Sequence, residues 1–260
     1  MKNWILFGLL TASTLSYGQE GQGANLHASR YIFSPSGYAL AKDSIYLNWI
    51  GPLLDVQFAP SDNITLGIGT PFFLGVYATG GYSMQINDQL SAKVGGLYGV
   101  PSVGQASFGL PYGVLTMGKP NANFTVGVGY GFTTGDWGGD LNGLALNMAG
   151  YKDFGGKTGL LFEGWYLPEI ETYIVAPAFR IYTKRDRRYW NIGFLAARYS
   201  YDETEYPILG YDTDWDGILD VTERPAGTDY FYTIYDYNNP FLTRIWETFR
   251  FPIFSYAMYF

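Results

Sequence analysis

Asp212, Asp214, Asp216, Ile218, Asp220 and Glu223 occupy positions one, three, five, seven, nine and twelve of one twelve-residue window, with Gly217 at position six. Hard oxygen donors at alternating positions suit Ca²⁺: carboxylates from the three leading aspartates, the Ile218 carbonyl, Asp220 direct or through water, and two oxygens from Glu223. Gly217 permits the sharp turn such a loop needs. Pro207 and Gly210 precede the window and Arg224-Pro225 follow it, so no exit helix is expected. The alternative is an acidic, solvated loop with chance spacing.

A second set of chemically capable side chains is scattered: Asp55, Lys93, Glu163 and Arg180, with Asn48, Gln57 and Asn147. Each falls on the polar face of a stretch whose other face is apolar, so alternation directs all of them to one interior. Glu163 and Arg180 belong to adjacent stretches and are expected to pair across that interior. Such charges either stabilise or plug a closed structure, or line a selective pore. Catalysis has little to draw on. The chain has no Cys and a single His, His27, which excludes thiolate chemistry and disulfides and argues against His-dependent catalysis. Gly156-Lys157-Thr158 echoes a phosphate-binding loop, but Tyr151 stands where its first Gly is required. The net charge of −7 argues against nucleic acid as a partner. The expectation is therefore a protein that is not an enzyme.

The elements that would position these groups show period two. In Asn123–Phe132, Phe124, Val126, Val128, Tyr130 and Phe132 alternate with Thr125, Gly127, Gly129 and Gly131. Ile64, Leu66 and Ile68 alternate with Thr65, Gly67 and Gly69, and Val76, Ala78, Tyr82, Met84 and Ile86 oppose Tyr77, Thr79, Ser83 and Gln85. Strict alternation means strands with one apolar face. The second face is mostly Gly, Ser, Thr and Asn with few charges. That suits the lumen of a barrel whose outer face meets lipid, where closure pairs every backbone group.

Twelve strands are expected, near 44–50, 53–58, 64–72, 75–86, 89–98, 105–117, 123–132, 141–151, 157–166, 171–182, 189–200 and 250–260. Each strand with its turn takes about fourteen residues, leaving about ten for the strand itself, enough for a tilted membrane crossing. Gly51-Pro52 is read as a tight hairpin, because Pro cannot donate within a ladder. Connections rich in Asn, Asp, Gly or Pro fall on one side. The other side receives 133–140 and the far longer 201–249, the asymmetry expected of an outer-membrane barrel. That long segment carries eleven acids and two bases, so the acidity of the chain is concentrated there.

Lys2, the apolar run Trp4–Leu10 and the small residues around Ser16-Tyr17-Gly18 have the layout of a secretory signal peptide. The expected organisation is a signal peptide at 1–18, a periplasmic N-terminal segment at 19–43, and a barrel at 44–260 whose residues 201–249 form a long acidic extracellular loop. The fold class is all-β: a transmembrane antiparallel up-and-down barrel of about twelve strands.

Three stretches carry a resemblance. Arg30-Tyr31-Ile32-Phe33-Ser34-Pro35-Ser36, the strand Asn123–Phe132 and the last strand Phe251–Phe260, ending on an aromatic residue with Phe254, Tyr256 and Met258 at alternating positions, are similar to a family of uncharacterised Gram-negative outer-membrane β-barrel proteins. The resemblance implies fold and location, outer-membrane lipid as surroundings, and recognition of the C-terminal strand by the barrel assembly machinery. It supplies no catalytic residues. The expected function is a narrow channel or pore for small solutes; the alternative is a surface-exposed binding or scaffold barrel with a calcium-stabilised loop and an extracellular ligand of unknown identity.

Overall fold

A computed structural model describes residues 26–71, 75–102, 106–135, 142–155, 157–184, 187–205, 208–212, 232–235 and 241–260. The segment assigned to the signal peptide and most of the calcium window, from Thr213 onward, lie outside these residues.

Twelve strands close into one antiparallel barrel. They are β1 (Ile45–Ile50), β2 (Leu53–Phe58), β3 (Ile64–Pro71), β4 (Gly75–Asn87), β5 (Leu90–Pro101), β6 (Ala106–Lys119), β7 (Ala122–Gly135), β8 (Gly143–Asp153), β9 (Thr158–Leu167), β10 (Thr172–Lys184), β11 (Arg188–Glu205) and, after two short strands, β14 (Phe241–Tyr259). Each pairs with its sequence neighbour, and β14 closes the ring against β11 and β1. In the closing ladder Tyr46 faces Tyr259 and Ile50 faces Ser255. Closure removes the unpaired edges that an open sheet of this length would present. No helix among the described residues is long and apolar enough to cross a membrane.

The count of twelve depends on the turn at Gly51-Pro52. Ile50 pairs with Leu53 across it, and Gly51 adopts φ +53°, a conformation that a residue with a Cβ adopts only at a cost. The chain therefore reverses there and does not run through.

Alternation along the strands sorts side chains into two environments. Ile64, Leu66, Ile68, Phe124, Val126, Val128, Tyr130, Leu160, Phe162, Val175 and Phe179 are exposed on the outside, Ile68 by 62% and Phe179 by 56%. Their neighbours Thr65, Thr125, Leu161, Ala176, Ala178 and Arg180 are buried. A water-soluble barrel would invert this pattern. Toward the end where β1 begins and β14 finishes, the interior is aromatic: Tyr46, Tyr151, Tyr182, Tyr189 and Tyr259 are all buried, with Tyr46–Tyr189 and Tyr151–Tyr182 hydroxyl contacts of 2.8 and 2.5 Å.

Two features depart from the expected layout. Strands β11 and β14 run past 200 and begin well before 250, so part of the segment read as loop is strand. The alternation that marks other strands fails there, since Phe241-Leu242 and Ile245-Trp246 are adjacent apolar pairs. Residues 198–249 form a compact unit of their own. Within it β12 (Ile208–Asp212) pairs with β13 (Tyr232–Tyr235) in a two-stranded sheet, the Arg198 guanidinium lies 4.6 Å from the Trp246 ring centre, and the Tyr199 hydroxyl donates to Glu247 at 2.5 Å. The second departure is the N-terminal segment, read as a stretch preceding the barrel. Tyr31, Ile32, Ser34, Ser36, Tyr38 and Leu40 are buried, and Tyr31, Ile32 and Ser34 bond to side chains of the barrel strands.

Candidate functional site

Residues 29–38 fold into a small loop seated in the barrel interior. A bridge between Arg30 and Pro35 closes it, with the Tyr31 amide donating to the Ser34 carbonyl at 2.9 Å and the Ser36 amide to the Ser29 carbonyl at 3.0 Å. This turn points the amides of Ile32, Phe33 and Ser34 the same way, a concave row of donors suited to an anion.

Glu163 of β9 supplies that anion. It is 0% exposed. Its Oε2 accepts from the Ile32 and Phe33 amides at 3.0 Å each, and its Oε1 from the Ser34 amide at 3.1 Å. Trp165 Nε1 donates to Oε1 as well, at 2.7 Å. Four donors fill the roughly four lone-pair sites of a carboxylate, so the buried charge is fully solvated by protein.

Arg180 of β10, 1% exposed, treats the carbonyl side of the same loop. Its Nη2 donates to the Tyr31 and Arg30 carbonyls at 3.1 and 3.3 Å, and its Nε to Asn191 Oδ1 at 3.0 Å. The guanidinium lies 4.1 Å from the Tyr189 ring centre and 5.2 Å from that of Tyr151, a placement that offsets part of its desolvation. Glu163 and Arg180 were expected to pair with each other. The register instead sets Glu163 opposite Ala176, four positions from Arg180 or about 13 Å along a strand. The two charges meet through the loop, one gripping its amides and the other its carbonyls.

The remaining wall contacts encircle the loop. Arg30 forms an ion pair with Asp55 of β2, which is 4% exposed. Asn147 donates to Ser34 Oγ at 2.8 Å, and the Gly37 amide donates to Thr116 Oγ1 at 2.7 Å. The Tyr31 hydroxyl stands 2.6 Å from both Asn123 Oδ1 and Thr125 Oγ1, and the Tyr38 hydroxyl donates to the Gly118 carbonyl at 3.0 Å. Burial pushes the Tyr38 phenol up to about 12, and burial likewise raises that of Tyr31. For Arg30 burial opposes the charge, but the Asp55 carboxylate together with Tyr46 and Tyr77 holds the guanidinium above its ordinary value.

Of the four interior charges picked from sequence, Asp55, Glu163 and Arg180 converge on this loop, while Lys93 lines a cavity beside it. Arg30, Trp165, Asn191 and Thr116 were not singled out. Asn191 follows the same alternation as Arg180 and was findable by parity. Arg30 was not, because nothing in the composition of 26–43 says which surface will cover it. Among the described residues no group of three or more His, Asp or Glu gathers as a metal cluster. Asp214, Asp216, Ile218, Asp220 and Glu223 of the calcium window lie outside the described residues, and only the backbone of Asp212, at the end of β12, is described. Comparison with protein-family models, curated proteins and solved structures returned no match.

Proposed function

We propose that the protein is a non-catalytic outer-membrane β-barrel, exported by its N-terminal signal, whose lumen is closed at rest by its own residues 29–38 and conducts small solutes only when that segment withdraws. The observation that carries this is the double grip of Glu163 and Arg180 on the backbone of the loop. A buried carboxylate with three main-chain donors and a buried guanidinium on the carbonyls hold that segment in one place. The apolar exterior supports a lipid setting, and the aromatic C-terminal strand supports delivery through the barrel assembly machinery.

Planar-bilayer recording tests the reading. The parent chain should be silent or nearly so, and a variant with residues 29–38 replaced by Gly and Ser should give reproducible unitary conductance. Steady conductance of equal size from both would overturn it.

A surface-binding role is supported by a separate feature, the acidic segment 201–249 with its calcium pattern. Bound Ca²⁺ would relieve the self-repulsion of eleven acids against two bases. Calcium titration of Asp214→Ala beside the parent should show weaker binding by the variant, and equal binding would remove the metal from the account.

A further inference from the structure

Beside the seated loop lies an interior cavity of about 90 Å³, room for several waters or one small organic molecule. Its polar lining is unbalanced. Arg30 is neutralised by Asp55, but Lys93, 4% exposed, has no carboxylate or other hydrogen-bonding partner among the described residues. Thr65 Oγ1, also in the lining and buried, has no partner either. Lys93 and Tyr112 are brought together over Gly81: a Cβ there would sit 3.3 Å from Lys93 Cδ and 3.5 Å from the Tyr112 hydroxyl. Leu97 and Leu110 complete an apolar wall. A buried ammonium without a counter-charge is expensive, whereas a cation, two hydroxyls and an aliphatic surface around one cavity make a site for an anion with a short carbon chain.

We infer that this cavity binds a small monocarboxylate, its charged end on Lys93 with the Thr65 and Tyr112 hydroxyls and its carbon chain against Leu97 and Leu110. Because Phe33 and Pro35 of the loop line the same cavity as Lys93 of the wall, the bound ligand packs against both and stabilises the seated loop. The inference depends on the occupied interior and not on the membrane setting or on conduction, so a barrel that fails the bilayer test can still pass this one.

Calorimetric titration of the full chain in detergent with butyrate, acetate and inorganic phosphate decides it. Butyrate should bind saturably, acetate more weakly for want of apolar contact, and phosphate at least tenfold more weakly than butyrate. Lys93→Met should weaken butyrate at least tenfold and Thr65→Val about threefold, with folding verified by the heat-dependent gel mobility of the barrel. If Lys93→Met does not fold, Thr65→Val and the ligand ranking carry the test. No butyrate binding by the parent, unchanged binding by the variants, or phosphate binding as tightly as butyrate would each overturn the proposal.

Discussion

Glu163 accepts three successive main-chain amides, so the charge matters as much as the shape. Glu163→Gln keeps the volume but turns an NH₂ toward donors, and it should cost about 2–3 kcal/mol, the worth of hydrogen bonds to a charged group; denaturant unfolding in detergent would measure it. Asp55 depends on its single ion-pair partner among the described residues. Arg30→Met strands its buried carboxylate and should cost about 3–5 kcal/mol, whereas Arg30→Met with Asp55→Leu should recover most of that loss. A double-mutant cycle that shows simple additivity would contradict the ion pair's role. Tyr38 adds a pH dependence. Its phenol is neutral when protonated, and burial raises it from 10.0 to about 12. The contribution is therefore complete below pH 10 and disappears as pH rises through about 12. Protection of the loop amides should fall across that window in the parent and less steeply in Tyr38→Phe, as followed by hydrogen exchange.

The strands and the N-terminal loop were legible to different degrees. Alternation located the strands because outward-facing and inward-facing positions of the closed barrel carry opposite chemistry, and that contrast repeats at every second residue. It failed at 241–249, where apolar residues come in adjacent pairs. The loop at 29–38 has no repeat, so its burial is invisible until the wall it touches is assembled. Gly37 shows how tight that fit is. A Cβ there would stand 2.4 Å from the Ser91 carbonyl oxygen, a backbone atom that cannot move aside. Gly37→Ala should therefore shift the loop, cutting amide protection at 32–38 at least tenfold while the barrel ladder keeps its own. Unchanged protection would mean that the loop is not seated against β5.

For the whole molecule, the exterior decides the solvent. Large apolar side chains lie exposed on strands all around the barrel, far more than a soluble monomer leaves in contiguous patches. The purified chain should stay monodisperse only in detergent or lipid and aggregate when both are removed, as light scattering would show. Sequence alone determined the all-β class, the number of barrel strands and the inward side of Asp55, Lys93, Glu163 and Arg180, since each follows from local alternation and turn chemistry. Only the tertiary structure decided what those inward groups do. The loop partners of Glu163 and Arg180 lie more than a hundred residues away on an N-terminal segment with no periodic signature, and closing the barrel is what brings a carboxylate and a guanidinium to opposite edges of one loop.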